Sequence, residues 1–150
     1  MSYRLFHDYF PELAEQETRV IRVLEPSPFP GVPAGEYALL ELFCTDQDCD
    51  CRRVMWTVTS ERDKNTVAVV AYGWGNAAFY REWLGRDDPE IICEMQGPVL
   101  NMASSQSSYA PSILNMLTRV VVPDKSYIHR VKRHYALFRN RIETGARFLS

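Results

Sequence analysis

The sequence predicts an α+β domain in which an antiparallel meander of three to four strands packs against C-terminal helices. Three observations lead there. The runs EYALLELFC, RRVMWTVTS and TVAVVAYGW, between Glu36 and Trp74, are of strand length and rich in β-branched and aromatic residues. Beyond Gly75 the apolar residues recur at the spacing of a helix instead. From Asp124 the residues Ile128, Val131, Tyr135, Phe138 and Ile142 repeat every three or four positions and form one apolar stripe of about five turns. Strands followed by helices, rather than alternating with them, put the helices on one face of an antiparallel sheet.

Taken in order, residues 1–35 are the least regular. TRVIRVLE (Thr18–Glu25) has strand character and can add a fourth strand, and PSPFPGVPAG then reads as an extended connector, because proline continues neither a helix nor a central strand. Residues 36–75 form the meander, its strands joined by a cysteine-bearing loop and by ERDKN. Residues 76–150 are mainly helical. Asn76 caps a helix AAFYREWL that stops at Gly85, and Asp87, Asp88 and Glu90 beside Pro89 read as a helix-terminating turn. IICEMQGPVL is ambiguous between a buried strand and a loop. SILNMLTRVV follows with Ser107 or Ser108 as its cap and Pro111 in its first turn. The aromatic segment GWGNAAFYREW, with Trp74, Phe79, Tyr80 and Trp83, reads as core. No repeat or second domain is visible, so residues 1–150 are expected to be a single globular domain.

The chain of 150 residues is 46% apolar and 24% charged, ordinary values for a globular domain that needs neither metal nor disulfide to build a core. No run approaches the ~20 apolar residues of a membrane span, and the amino end lacks the apolar stretch and cleavage site of a secretory signal. A cytoplasmic, intracellular location is expected, where thiols stay reduced. The net charge of −2 hides an asymmetry: residues 1–124 carry 10 basic and 18 acidic groups, and residues 125–150 carry 7 basic and 1 acidic. Arg130, Lys132, Arg133 and Arg141 on the last helix make a possible basic binding face for an acidic protein or nucleic acid. The same asymmetry can serve homodimerisation or simple solvation.

FCTDQDCDCRR is the segment with the most chemistry. Cys44, Cys49 and Cys51 fall within eight residues, at the tip of the expected hairpin. Residues two apart on an extended chain point the same way, so Cys49 and Cys51 project together and Cys44 faces them. Converging thiolates need a cation, and sulfur donors select zinc, copper(I) or iron–sulfur clusters. The spacing C-x4-C-x-C departs from the paired C-x2-C of familiar zinc sites. A Cys44–Cys51 or Cys44–Cys49 disulfide, a redox-active thiol and incidental cysteines are the other readings. A calcium loop is excluded, because Cys51 and Thr57 stand where Gly and a bidentate Glu are required.

A tetrahedral site needs a fourth ligand, for which Cys93, His134, His7 and His129 are candidates, with a nearby Asp or a water as the fallback. His134 lies at the rim of the helical stripe, roughly 80° from its centre, and His129 roughly 140° away. His134 is the expected ligand. Cys93 reads as an inert core thiol.

FCTDQDCDCRRV together with the downstream KRHYALF resembles a motif pair in bacterial hypothetical proteins of similar size, a family without an assigned activity. The resemblance runs from about Glu36 to about Phe138. It implies a single bacterial domain in which the cysteine loop and His134 belong together.

The serine-rich stretch Ser104–Ser112 shows no nucleophile elbow and no phosphate-binding loop, so it reads as a loop and cap. The leading expectation is a binding module with a structural zinc on Cys44, Cys49, Cys51 and His134. Two alternatives are a metal-dependent hydrolase or thiol redox enzyme with an open metal position, and a metal-free interaction domain. No paired carboxylates or His–Asp arrangement supply a general base, which disfavours an enzyme.

Overall fold

The computed structural model describes residues 2–149 and has the predicted α+β architecture. Strands β1 (Tyr3–Leu5), β2 (Arg19–Val23), β3 (Gly35–Cys44), β4 (Arg53–Ser60), β5 (Asn65–Gly73) and β6 (Val99–Leu100) form one antiparallel sheet. β3, β4 and β5 are the predicted meander. β1 and β2 share the outer edge of β3, β1 pairing with Leu42–Cys44 and β2 with Gly35–Leu39. β6 extends the opposite edge beside β5.

Strand alternation sorts the sheet into two faces. Tyr37, Leu39, Glu41 and Phe43 of β3 lie beside Val54, Trp56 and Val58 of β4 on one face, and all are buried. This face is covered by α1 (Phe6–Tyr9), α5 (Ala110–Val120) and α6 (Lys125–Leu149). The predicted stripe of α6 is the part that enters. Val131 and Phe138 are fully buried, and Phe138 packs 5.5 Å from the Phe43 ring, with ring centroids compared. α3 (Ala77–Leu84) and α4 (Pro89–Gln96) form a smaller cluster around Tyr80, Ile92 and Met95. Among the described residues no helix is long and apolar enough to cross a membrane.

Asn76 caps α3 through its side chain and Gly85 ends it with φ 75°, as the sequence indicates. Four expectations change. Residues 3–23 hold β1, α1, α2 (Pro11–Glu17) and β2, so irregular chain is confined to residues 24–34. These short elements are stabilised by pairing and packing with residues distant in sequence, which no local period reveals. Asp88 does not end a helix but begins one: its Oδ1 accepts from the Ile91 amide at 3.2 Å, with Pro89 in the first turn. The same residue types serve turns and N-caps, hence the misreading. Helix α4 buries Ile92 and Met95 and turns Cys93 outward, so Cys93 is exposed and not a core thiol. Neither Ser107 nor Ser108 caps α5; Tyr109 precedes it without a side-chain cap, while the Ser107 amide bonds to the Val67 carbonyl.

If α6 is held mainly by its stripe, Phe138→Ala should lower unfolding free energy by about 3–5 kcal/mol in urea titration. Its partly exposed neighbour, as Leu137→Ala, should cost about 0.5 kcal/mol.

Candidate metal centre

Cys44 closes β3, and the chain turns at Gln47–Asp48 before returning through Cys49 and Cys51 into β4. Asp48 and Arg52 take left-handed backbone angles (φ 57° and 52°), which fold six residues into a compact tip. The outcome is convergence. The sulfurs of Cys44, Cys49 and Cys51 all lie within 4.8 Å of one another, close enough to hold a metal ion. They are free thiols, with Cys44 and Cys51 buried and Cys49 partly exposed. Burial, with the neighbouring Cys49, pushes the Cys44 thiol up to about 11 and the Cys51 thiol up to about 12. Both therefore stay protonated at neutral pH unless a cation compensates the charge.

Three α6 side chains, spaced four residues apart, grip this tip. Arg139 donates to the Cys44 and Asp46 carbonyls, each at 2.6 Å, and pairs with Glu143. Glu143 accepts from the Asp48 amide at 2.8 Å. Tyr135 donates to Asp50 and accepts from the Arg52 amide, both at 3.2 Å. From the other side the Tyr80 hydroxyl meets the Cys51 and Arg52 carbonyls at 2.9 and 3.0 Å. Contacts from α6 and Tyr80 thus hold the backbone on both sides of the sulfurs. Sequence reasoning missed these residues, although the i, i+4, i+8 spacing of Tyr135, Arg139 and Glu143 marks a single helix face.

His134 does not join the sulfurs. It is buried at 1% exposure, with Nδ1 2.6 Å from Glu41 Oε1 and Nε2 2.7 Å from Glu17 Oε1. Its ring stacks on Phe6 at 4.3 Å. The reason is the side of the sheet. Glu41 shares the helix-covered face with Phe43, whereas alternation turns Cys44, the next residue, to the opposite face. The three cysteines are the only His, Cys, Asp or Glu cluster of this kind among the described residues, so His129, His7 and Cys93 also lie outside it.

The glutamates around His134 belong to a wider buried network. Glu41 also accepts from the Tyr127 hydroxyl at 2.8 Å, and that oxygen accepts from Trp56 Nε1 at 3.0 Å. Arg133 forks onto the Glu17 carboxylate at 2.9 and 3.2 Å, and Arg130 reaches the Glu17 carbonyl. Two members of the expected basic face are therefore engaged within the domain. Arg141 lies over the Tyr9 ring and is exposed, as is Lys132.

Burial opposes charge on His134, but its hydrogen bonds and charge contacts with Glu41 and Glu17 outweigh this and raise its pKa above the ordinary 6.5. Arg133 and His134 hold Glu17 down at about 2, below its ordinary 4.5. The Glu17 contribution to stability is present above pH 4.5 and fades as pH falls toward 2. The His134 contribution is full below pH 6.5 and fades as pH rises through its folded-state value. Thermal unfolding should therefore be highest between these limits, and His134→Gln should flatten the alkaline decline. A second expectation concerns the thiols. After chelator treatment at pH 8, iodoacetamide should label exposed Cys93 at least about tenfold faster than Cys44 or Cys51, as read by peptide mass.

No protein-family model matches the chain, and comparison with curated proteins and with solved structures gives no significant match. The fold and the sulfur cluster stand on the geometry of this chain.

Proposed function

We propose that the protein is a small metal-binding module whose Cys44, Cys49 and Cys51 hold zinc at the β3–β4 junction. One observation carries this reading. Three thiols converge within 4.8 Å without forming a disulfide, two of them fully removed from water. A dry thiol cluster is a poor place for unpaired negative charge, and a divalent cation removes that penalty while the thiols release their protons. Arg52 and Arg53 next in sequence, with Arg139 on the loop carbonyls, offset the remaining charge of a tris-thiolate centre.

The role is structural. The tip is already aligned by Tyr135, Arg139 and Glu143, so the metal joins the end of β3 to the start of β4 at a preformed site. Zinc in a structural site takes a fourth protein ligand, for which the loop carboxylates Asp46, Asp48 and Asp50 are the nearest in sequence. An acidic partner would meet Lys132 and Arg141 rather than Arg130 and Arg133, which Glu17 already engages.

Protein purified without chelator should carry about one equivalent of zinc by elemental analysis. Cys44→Ser or Cys51→Ser should reduce that to below about a tenth and lower the melting temperature, whereas Cys93→Ser should change neither. Metal-free protein whose stability is unaltered by the cluster substitutions sinks the proposal.

A further inference from the structure

We infer that Cys49 is also a site of reversible oxidation by hydroperoxides, with Cys44 capturing the oxidised sulfur as an intramolecular disulfide. This adds to the metal reading a means of releasing the ion, since both use the same three sulfurs; the disulfide itself needs no metal. Access and proximity carry the argument. Cys44 and Cys51 are 0% exposed, so within the triad only Cys49 meets solvent, and its sulfur lies within 4.8 Å of both buried partners. Cys93 is the contrasting case: exposed on α4, but outside the cluster and without a neighbouring thiol to capture its oxidised form.

The choice of Cys44 follows from the turn. Gln47 and Asp48 reverse the chain between Cys44 and Cys49, so a bond between them closes a loop already folded back. A bond from Cys49 to Cys51 would have to span a single residue along a chain that re-enters β4. Arg139 holds the Cys44 carbonyl and Glu143 the Asp48 amide, so the two flanks of the turn are anchored to α6 while the sulfurs react.

The chemistry balances without further reagents. The Cys49 sulfur attacks one peroxide oxygen; an S–O bond forms as the O–O bond breaks, sulfur loses two electrons, and the thiol proton passes to the other oxygen, which leaves as an alcohol, or as water from hydrogen peroxide. The Cys44 sulfur then attacks Cys49, the S–S bond forms as the S–O bond breaks, and the hydroxyl takes the Cys44 thiol proton and leaves as water. Two thiols and one hydroperoxide give one disulfide, one alcohol and one water. Two of three ligands are withdrawn, and a bound ion leaves. A small thiol reductant restores the triad by exchange.

The test uses full-length protein carrying Cys93→Ser, purified without chelator and treated with hydrogen peroxide. Intact mass should fall by about 2 Da, reversibly with dithiothreitol. Cleavage at Asp46, Asp48 and Asp50, which separate the three cysteines, should leave the Cys44 and Cys49 fragments linked. A chromophoric chelator should register metal release in step with the mass change, and Cys49→Ser should abolish the disulfide while circular dichroism stays unchanged. Addition of oxygen to Cys49 without a link, or a link that omits Cys44 or Cys49, overturns the inference. The two readings fail separately: the disulfide without metal in the starting protein leaves oxidation standing alone, and metal without the disulfide leaves only the metal centre.

Discussion

The seating of α6 across the helix-covered face of β3 is the contact on which the rest of the molecule depends. Phe43 meets both Tyr135 and Phe138, at ring separations of 5.9 and 5.5 Å, and this apolar contact sets the rotation and height of the helix. Once it is set, residues one and two turns further along have no freedom of placement. Arg139 and Glu143 fall beside the β3–β4 tip, and His134 falls between Glu41 and Glu17. Burial of aromatic area supplies the driving force, and the polar groups carried along find partners because burial without them would be costly. Arg139, only 9% exposed, is the extreme case, satisfied by two carbonyls and a carboxylate.

The two polar assemblies on either side of Phe43 solve opposite electrostatic problems. Around His134 the charges are complementary: a histidine that binds a proton more readily lies between two glutamates, with Arg133 on the outer one. That network completes itself and fastens α2 to α6. Around the cysteines no such complement exists among the thiols themselves. They are neutral only while protonated, and Cys44 and Cys51 become buried anions when they lose their protons. The cluster is thus poised for whatever removes protons and supplies positive charge, or removes electrons and makes a covalent bond. Both chemistries draw on one arrangement of backbone, held by α6 and Tyr80.

The N-terminal segment contributes more than its composition indicates. Phe6 stacks on His134, Tyr9 packs edge-on to Phe138, and Glu17 supplies the second carboxylate to the buried histidine. α1 and α2, between two short strands on the same edge of β3, close one side of the core. A four-residue helix has no stability of its own. It exists here because the sheet and α6 present a surface for Phe6.

Much of this was legible in the amino-acid order. The meander declared itself through Glu36–Trp74 because its three runs have strand length and are rich in β-branched and aromatic residues. The α6 stripe and the Asn76 and Gly85 caps were equally plain, since period and cap chemistry are local properties. The convergence of Cys44, Cys49 and Cys51 could also be read, because a tight hairpin tip leaves little room for three nearby side chains to diverge. What lay beyond reach were the decisions made by contacts distant along the chain. The sequence placed His134 at the rim of a helix but could not say which face of the sheet that rim would meet. One step of strand alternation between Phe43 and Cys44 separates the histidine's partners from the sulfurs. Asp88 starting a helix, Cys93 facing outward and β1 pairing with the end of β3 were settled in the same way. Local pattern determined which elements form and which chemistry they carry; tertiary packing decided which side chains meet, because register and helix rotation are fixed only when the core closes.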